Sequence, residues 1–425
     1  MKLRLSNDEL AGCIPAIASK SHLHRLLIVA AFSTSICKIV CDHSTGEDIV
    51  ATIACLKSLG ATITPLANGY EVVPIALHRL PKKAILPCKE SGSTLRFMLP
   101  IVCALGIEGE FHCEGRLPQR PLAPLDDLLR EKGCVIHPFE QGVLRCSGKL
   151  KAGAYCIAGH ISSQYSTGLL FALSLLPTDS QLHITGKVES LAYIDMTLDA
   201  LKQFGHDLAR ENHVYTIVGG KAFIAPMEIK VQGDWSNSAF WLTAGAMSKR
   251  GITVTGLQID SLQGDKEIIP ILQNVGASVV VCGDAITVKK NQLKGICIEG
   301  ETIPDLVPIV AGLASVCQGK TVISKASRLR LKESDRIKAV AEALQAVGAT
   351  VETQEDGFVI EGKTQLQSGH CDSHNDHRIA MMCAIISGAC QGDITINDAQ
   401  AVNKSYPHFW ADLARLGKKV EVVHE

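Results

Sequence analysis

The stretch Leu-Lys-Ser-Leu-Gly-Ala-Thr-Ile-Thr at positions 56–64 contains the pattern that decides the fold: a leucine, three residues, a glycine and then a β-branched run. The pattern occurs six times, at Leu56 to Gly60, Leu129 to Gly133, Leu201 to Gly205, Leu272 to Gly276, Leu344 to Gly348 and Leu413 to Gly417. Successive glycines lie 73, 72, 71, 72 and 69 residues apart. This regular spacing predicts one structural unit of about 70 residues, repeated six times.

Each of these glycines is predicted to end a helix. Apolar residues precede it at helical spacing, as in Ile49, Ile53 and Leu56, and glycine readily adopts the left-handed backbone that stops a helix. Two short β-rich runs follow, separated by pairs that favour hairpin turns: Asn68-Gly69, Gln141-Gly142, Asn212-His213, Gly283-Asp284 and Asp356-Gly357. A unit is therefore predicted to end in helix, strand, turn and strand.

The sixth unit has no return strand after its last β-rich run, 420–423. We expect residues Lys2 to Leu5 to supply it. Six units also exceed what one core holds, because single cores stop growing at about 250 to 300 residues. We therefore predict an α/β protein with two domains of three repeats, one formed by residues 15–226 and the other by 1–14 plus 227–425, with crossovers near Pro15 and Pro226.

The composition favours small ligands over nucleic acid. The net charge is −1 and aromatic residues make up 4% of the chain, whereas a nucleic-acid surface needs excess basic charge and stacking rings. The N-terminal sequence has no apolar signal core, and no run approaches the roughly 18 apolar residues of a membrane span, so we expect a cytoplasmic protein without membrane contact. The sixteen cysteines include no Cys-x-x-Cys pair, and we expect most to be buried and reduced.

Because the overall charge is balanced, basic residues next to glycine or serine stand out as candidate anion sites. The first such segment is Ser-Lys-Ser-His-Leu-His-Arg at 19–25, directly before an apolar run. A serine that caps a helix, with lysine and arginine beside it, suits a phosphate group. A capped helix with solvated charges explains this segment equally well.

Three further segments place small polar residues before an apolar run: 90–96, which contains Gly92, then Gln119-Arg120-Pro121, and 162–165, which begins Ser162-Ser163-Gln164. Backbone N–H groups in such loops can face an anion. Taken singly, each segment is also typical of an ordinary loop or helix cap.

Two segments combine acids and bases. Lys332 and Glu333 lie side by side before a predicted helix at 337–344, and adjacent acid and base groups can move protons when their environments separate their pKa values. The alternative is a charged first helical turn. Asn-Asp-His-Arg at 375–378, with Cys371 and His374 nearby, imitates a metal site, but no second half of a zinc pattern follows. Asp305 after a proline and Lys404-Ser405-Tyr406-Pro407 complete the candidates.

Together and in this order, these segments resemble the EPSP synthase family of enolpyruvyl transferases across nearly the whole chain. The most specific matches are SKSHLHR (19–25), SSQ (162–164), YID (193–195), KESDRI (332–337), NDHRIAM (375–381) and KSYP (404–407). The resemblance implies transfer of the enolpyruvyl group of phosphoenolpyruvate to the 5-hydroxyl of shikimate 3-phosphate, without metal or organic cofactor. It also implies an inside-out α/β barrel fold of six βαβαββ units, with an active site in the cleft between two domains. We expect a monomer.

The resemblance also implies roles for individual residues. Shikimate 3-phosphate is expected to contact Lys20, Ser21, Arg25, Ser162, Ser163, Gln164, Tyr193, Asp305 and Lys332. Phosphoenolpyruvate is expected to contact Lys20, Gly92, Arg120, Gln164, Arg336, Arg378 and Lys404, because the arginine fork matches carboxylate and phosphate. The expected catalytic residues are Asp305, Glu333 and Lys20, with Asp305 accepting the proton of the 5-hydroxyl and Glu333, together with Lys332, protonating the methylene carbon.

Two positions depart from the family pattern. Lys89-Glu90 stands where the family usually has Gly-Asn, and a carboxylate near an anionic substrate is unfavourable unless a cation such as Lys89 or Arg96 pairs with it. Arg328 replaces an asparagine found in some relatives. Both changes affect the expected loop geometry and inhibitor sensitivity rather than the reaction class.

Two other functions compete with this reading. A transferase acting on a UDP-amino sugar shares the repeated fold, but that family uses a cysteine just before the Arg-Pro, and Cys113 lies too far upstream of Arg120. A catalytically silent homologue that binds a phosphorylated ligand or a partner protein is the second alternative. The presence of Lys20, Asp305 and Glu333 together disfavours it.

Overall fold

The structure is a computed structural model that describes residues 1–42 and 45–424. Glu425, the end of the predicted second domain, lies outside the described residues. The α-helices are α1 Lys20–Ala31, α2 Glu47–Ser58, α3 Gly92–Leu105, α4 Leu125–Glu131, α5 Ser163–Ser174, α6 Leu191–Gln203, α7 Trp235–Met247, α8 Ile268–Asn274, α9 Val307–Ala314, α10 Arg336–Ala346, α11 His377–Ile386 and α12 Phe409–Arg415.

The strands of the first half of the chain are β1 Leu3–Leu5, β2 Gly12–Pro15, β3 Cys37–Val40, β4 Thr62–Leu66, β5 Gly69–Val73, β6 Lys83–Lys89, β7 Glu108–Cys113, β8 Cys134–Ile136, β9 Val143–Gly148, β10 Ala154–Ala158, β11 Ser180–Thr185, β12 Ala209–Glu211 and β13 Val214–Ile217. Those of the second half are β14 Glu228–Lys230, β15 Ile252–Thr255, β16 Ser278–Cys282, β17 Ala285–Lys289, β18 Cys297–Glu299, β19 Lys320–Ser324, β20 Thr350–Gln354, β21 Gly357–Glu361, β22 Gly369–Asp372, β23 Ile394–Asn397 and β24 Val420–Val422.

The predicted sixfold repeat is confirmed by the sheets. Within the described residues the strands form six sheets of four strands each, in the orders β14-β3-β5-β4, β6-β7-β9-β8, β10-β11-β13-β12, β2-β15-β17-β16, β18-β19-β21-β20 and β22-β23-β1-β24. In every sheet the first pair in this order is parallel and the next two pairs are antiparallel. The six sheets therefore share one topology.

The turns and helix ends also lie where the sequence predicts them. The five predicted turn pairs join antiparallel hairpins, as between β4 and β5. Each of the six glycines has a positive φ, between 75° at Gly205 and 110° at Gly417. An L-residue with a side chain resists this backbone conformation, which explains why glycine recurs at the end of the second helix of each repeat.

Three sheets are completed by strands from a distant part of the chain. β1 pairs antiparallel with β24, with Leu3 opposite Val422, so the predicted return strand at Lys2 to Leu5 is confirmed. β2 lies parallel to β15, and β14 lies parallel to β3. With these pairings, each of the three sheets has four strands in the same arrangement as the other sheets.

The chain forms two compact units, Lys20–Val231 and residues 1–19 with Gln232 onwards. The predicted crossovers near Pro15 and Pro226 lie slightly too early. Since β14 begins after Pro226 and pairs with β3, the first unit must include it. Since β2 extends to Pro15 and pairs with β15, the second unit must include the whole of β2.

Each unit has an apolar interior packed around its helices. In Lys20–Val231, Phe97 of α3 meets Phe171 of α5 edge to face, with ring centroids 5.9 Å apart. In the other unit, Trp241 of α7 stacks on Phe409 of α12. All sixteen cysteines are free thiols and twelve are buried, as predicted for most of them. Within residues 1–42 and 45–424, no helix has the length and apolar character needed to cross a bilayer.

Replacing Gly60 by alanine tests the helix-stop interpretation. Gly60 has a φ of 108°, and an added Cβ would approach no atom more closely than 3.9 Å, so backbone strain is the main cost. We expect Gly60→Ala to lower the free energy of unfolding by about 1–2 kcal/mol, measured by urea denaturation.

Gly392→Ala is the matched control, because the φ of Gly392 lies outside the left-handed region and an added Cβ meets Ser368 only at 3.5 Å. Its effect should stay within about 0.5 kcal/mol. Equal losses in the two variants would contradict the interpretation.

Candidate active site

Helix N-termini carry most of the predicted site residues. Lys20, Gly92 and Ser163 are the first residues of α1, α3 and α5 in the unit Lys20–Val231. In the other unit, Arg336 is the first residue of α10 and Arg378 is the second residue of α11. The free N–H groups and positive dipole at such positions favour anions. Both units therefore offer anion-binding backbone next to cationic side chains.

Lys20 makes an ion pair that the sequence did not predict. Its Nζ lies 2.7 Å from Oδ2 of Asp48, a residue of the first turn of α2. The carbonyl of Asp48 accepts a 3.3 Å hydrogen bond from the hydroxyl of Thr94, which also bonds Ser91. Ser91 caps α3 by accepting from the backbone N–H of Thr94. Lys20 is thus connected through three residues to the loop of Gly92.

Arg25 is buried and joins α1 to α6. Its Nη1 donates to the carbonyl of Ser21 at 2.6 Å, and its Nη2 donates to the carbonyl of Tyr193 at 2.8 Å. Its Nε donates to the hydroxyl of Thr197, and its guanidinium lies 5.5 Å from the ring centroid of Phe97. Burial lowers the pKa of Arg25 to about 10, which leaves it charged at neutral pH. The structure therefore brings Ser21, Arg25 and Tyr193 together.

Gly92 lies against two arginines. A Cβ added at Gly92 would come within 2.6 Å of Nη1 of Arg120 and 2.7 Å of Nη1 of Arg96. Arg96 also donates to Oε1 of Gln164 at 2.8 Å and to the carbonyl of Pro121. Two arginine side chains therefore occupy the space that a side chain at position 92 would need.

The segment Ser162-Ser163-Gln164 begins α5 and faces the same loop. Ser162 caps the helix by accepting from the backbone N–H of Gln164 at 3.3 Å. The amide of Gln164 donates to the hydroxyl of Ser93 at 2.8 Å, which ties α5 to the start of α3. Glu90, the departure from the family pattern, places its carboxylate beside Gly115, where an added Cβ would lie 2.5 Å from Cδ of Glu90.

In the other unit, Asp305 lies among three cations. Its Oδ1 accepts from Nη1 of Arg336 at 2.9 Å, and its Oδ2 accepts from Nη2 of Arg378 at 3.3 Å. Nζ of Lys332 lies 3.8 Å from Oδ1. Burial raises the pKa of Asp305, but Arg378, Lys332 and Arg336 outweigh that effect and hold the pKa well below its usual range.

Arg336 is 1% exposed and contacts three carboxylates. Besides Asp305 it donates to Oε2 of Glu333 at 2.9 Å and to Oδ2 of Asp376 at 2.8 Å. Asp376 is fully buried, caps α11 through the backbone N–H of Arg378, and accepts the hydroxyl of Ser334. The carboxylate of Asp376 therefore holds both predicted arginines, because it accepts from the guanidinium of Arg336 and from the backbone N–H of Arg378.

Two lysines complete this cluster. Burial lowers the pKa of Lys332 to about 8. The positive charges of Arg336 and Arg328 also lower this pKa, whereas the carboxylates of Asp305 and Glu333 raise it. Lys404 ends a short 3-10 helix, Ala399–Lys404, and its Nζ donates to the carbonyl of Asn375 at 2.6 Å. Lys404 is thereby attached to the segment that precedes Arg378.

The residues that imitate a metal site have other partners. Cys371 is buried with its thiol 3.6 Å from the carbonyl of Ala343, and Nε2 of His374 lies 2.9 Å from Oε2 of Glu342. Within the described chain, no three histidine, cysteine or acidic side chains converge as metal ligands.

The predicted residues thus form one connected set in each unit. The sequence did not point to Asp48 or Asp376 as members of these sets. Asp376 stands within a motif that was recognised, and its place directly before an apolar helix is a signal for an N-cap. For Asp48 the sequence carries no comparable signal, because its partner Lys20 lies 28 residues earlier in the chain.

Comparison with known proteins gives independent evidence on the family. The model of the family described as EPSP synthase (3-phosphoshikimate 1-carboxyvinyltransferase) matches residues 6–413. The chain is 41% identical over 419 residues to the 3-phosphoshikimate 1-carboxyvinyltransferase of Clostridium kluyveri, covering 98% of this chain and 97% of that protein. It is 39% identical over 424 residues to the enzyme of the same name from Clostridium novyi, with the same coverage.

A solved structure of EPSP synthase from Acinetobacter baumannii superposes with a TM-score of 0.80 at 25% identity, covering 99% of this chain and 100% of that one. The fold and the family match place the chain among the enolpyruvyl transferases. The chain belongs to the EPSP synthase family.

Replacing Asp376 tests the compensation of buried charge around Arg336. Asp376→Ala leaves a buried guanidinium with less negative charge around it and removes the cap of α11. We expect the free energy of unfolding to fall by about 3–5 kcal/mol in urea denaturation.

Asp335→Ala is the control, because Asp335 caps α10 but pairs with a partly exposed arginine, Arg330. Its loss should be about 1 kcal/mol, the usual value of a helix cap. If Asp376→Ala cost no more than Asp335→Ala, the charge-compensation argument would be wrong.

Proposed function

We propose that this chain transfers the enolpyruvyl group of phosphoenolpyruvate to the 5-hydroxyl of shikimate 3-phosphate and releases inorganic phosphate. The observation that carries the proposal is the joining of Asp305, Glu333 and Lys332 to Arg336 and Arg378. The first three can move protons and the two arginines can hold an anion. Family membership gives the reaction in which both abilities are used.

Shikimate 3-phosphate is assigned chiefly to the unit Lys20–Val231. The proposed contacts there are Lys20, Ser21, Arg25, Ser162, Ser163, Gln164 and Tyr193, with Asp305 and Lys332 from the other unit. Support comes from the start of α5, where the N–H groups after Ser162 suit a phosphate. Arg25 supports it further, because its hydrogen bond to Tyr193 fixes the start of α6 relative to α1.

Phosphoenolpyruvate is assigned to Lys20, Gly92, Arg120, Gln164, Arg336, Arg378 and Lys404. Arginine presents parallel N–H donors that match carboxylate and phosphate oxygens. Arg336 and Arg378 now donate to protein carboxylates, and an anionic substrate competes for the same donors. These residues come from both units, so the proposal assigns the reaction to the whole chain.

Asp305 is the proposed base for the 5-hydroxyl. With three cations beside it, its low pKa makes it a weak base before substrate binds. When phosphoenolpyruvate neutralises Arg336 and Arg378, the pKa of Asp305 should rise, because the charges that favour its anion are offset. Binding of the substrate therefore strengthens the base.

The second proton goes to carbon. As the 5-hydroxyl oxygen bonds to C2 of phosphoenolpyruvate, Asp305 takes the hydroxyl proton, and Glu333 with Lys332 delivers a proton to the methylene carbon. The roles then reverse: the tetrahedral intermediate expels phosphate, which takes the proton held by Asp305, and the methyl group returns one proton to Glu333 with Lys332 as the new double bond forms. Lys332 suits this exchange, because a lysine with a pKa of about 8 gains and loses a proton more readily than an ordinary one.

A phosphate-release assay tests the reaction. Purified protein is mixed with phosphoenolpyruvate and shikimate 3-phosphate, and a parallel reaction contains UDP-N-acetylglucosamine instead. Release only with shikimate 3-phosphate is expected. Release only with the UDP-sugar would establish the competing transferase, and no release from a folded protein would establish a silent homologue.

We also infer a monomer located in the cytoplasm that binds neither nucleic acid nor membrane. For the oligomeric state, we expect sedimentation to show a single species near 45.5 kDa. A species of twice that mass would contradict it.

Gly92→Ala tests the assignment of the phosphoenolpyruvate loop. The added methyl group would displace the guanidinium ends of Arg96 and Arg120. We expect KM for phosphoenolpyruvate and the inhibition constant of glyphosate, which occupies the same position in this family, to rise about tenfold or more. The Kd of shikimate 3-phosphate should change by less than about twofold, since a tenfold change needs about 1.4 kcal/mol. Equal losses for all three ligands would contradict the assignment.

Glu333→Gln tests the proton transfer to carbon. The amide keeps the shape of the side chain and an acceptor for Arg336, but it cannot supply a proton. We expect turnover to fall by about 10²–10⁴-fold while shikimate 3-phosphate still binds with its normal Kd. Glu342→Gln, at an exposed position of α10, is the control and should turn over normally. Unchanged turnover of Glu333→Gln would remove Glu333 from the mechanism.

A further inference from the structure

Asp265 is a buried carboxyl group that the proposed mechanism does not use. It lies in a short 3-10 helix, Gly264–Glu267, and is 1% exposed. Its Oδ2 accepts a hydrogen bond from the hydroxyl of Ser236, a residue in the first turn of α7. Its Oδ1 has no hydrogen-bond partner among the described residues. A buried carboxylate oxygen without a donor is costly, so the side chain is better accommodated as a neutral acid.

Asp265 is connected to the phosphoenolpyruvate arginines through Ser236. The backbone carbonyl of Ser236 accepts a 3.0 Å hydrogen bond from Nη1 of Arg378. Nη2 of the same guanidinium donates to Asp305. The carbonyl of Ser236 and the carboxylate of Asp305 thus hold the two ends of the Arg378 fork.

The charges around Asp265 act in opposite directions. Burial raises the pKa of Asp265 to about 7, with Asp305 and Asp234 adding to the rise and with Arg378 and the hydroxyl of Ser236 opposing it. Asp234 caps α7, Asp305 precedes α9, and Arg378 belongs to α11. Charged groups at three different helices therefore act on the carboxyl group of Asp265.

We propose that Asp265 is a positioning residue for phosphoenolpyruvate: its neutral carboxyl group anchors Ser236, whose carbonyl orients Arg378, and its ionisation weakens binding of the substrate. The proposal rests on the assignment of Arg378 to phosphoenolpyruvate. Asp265 does not touch the substrate in this scheme. It acts through Ser236 and through its charge.

The physical reason is competition between anions for Arg378. When Asp265 is neutral, the positive charge of Arg378 interacts with only two anions, Asp305 and the substrate. An ionised Asp265 adds a second buried carboxylate near the same guanidinium, which lowers its attraction for a further anion. The affinity for phosphoenolpyruvate should therefore fall as the pH rises through the titration of Asp265.

The pH profile of KM for phosphoenolpyruvate tests the proposal. In the unmodified protein KM should rise about tenfold between pH 6 and pH 8.5, which corresponds to a coupling of about one pKa unit. Asp265→Asn keeps an acceptor for Ser236 and cannot ionise, so the tenfold component should be missing from its profile, which keeps only the changes that phosphoenolpyruvate and Lys332 cause in both proteins. Protonation of phosphoenolpyruvate itself is common to all variants, so a difference between profiles belongs to the protein.

Two further variants sharpen the test. Ser236→Ala removes the hydroxyl that favours the ionised carboxylate, so the midpoint of the rise in KM should move to higher pH. Asp260→Asn, at an exposed position nearby, should leave the profile unchanged. A Ser236→Ala profile with an unshifted midpoint, or an Asp265→Asn profile like that of the unmodified protein, would overturn the proposal. Ser236→Ala also serves if Asp265→Asn fails to fold.

Arg378→Lys separates this inference from the function on which it rests. It keeps the positive charge and loses the fork, so KM for phosphoenolpyruvate should rise at every pH. If it rises while Asp265→Asn keeps the unmodified profile, only the role of Asp265 is refuted. If Arg378→Lys leaves KM unchanged, both the assignment of Arg378 and the inference fail.

Discussion

The fold depends on completing each four-stranded sheet. A sheet with a missing strand exposes unpaired backbone N–H and C=O groups, and burying such groups without partners is costly. Three of the six sheets receive a strand from a distant part of the chain, namely β1, β2 and β14. The unit formed by both ends of the chain is therefore held together by backbone hydrogen bonds as well as by its apolar interior.

The repeat could be predicted because its signals are local. A glycine after a helix and a turn pair between two β-rich runs act over a few residues, and both recur at nearly constant spacing. The domain boundaries could not be placed as well. Pro15 and Pro226 are strong local signals, but each boundary lies beyond the strand next to it, β2 or β14. These strands belong to a unit because they pair with β15 and β3, which are remote in sequence.

The candidate site divides in the same way. Residues such as Lys20, Arg336 and Arg378 could be found because they stand in short motifs at the start of predicted helices. Asp48 and Asp265 could not, because their roles come from contacts with Lys20 and Ser236 that only the folded chain creates. Gly92 combines the two cases. Its motif could be recognised in the sequence, but its contact with two arginine side chains is created only by the folded chain.

The ion pairs of the site also explain how it tolerates so much buried charge without substrate. Arg336 and Arg378 lie at helix N-termini, where the dipole disfavours cations, and both are buried. Asp305 and Asp376 compensate them, so each of these two guanidinium groups is buried next to an opposite charge.

This compensation gives the site a built-in order of events. At an effective dielectric constant of 20, two unit charges 4 Å apart interact by about 4 kcal/mol. A substrate that takes over even one arginine therefore makes Asp305 a markedly stronger base. In this scheme Asp305 becomes competent to accept the hydroxyl proton only when phosphoenolpyruvate is in place, so charge compensation in the free protein and activation in the complex are two consequences of the same contacts.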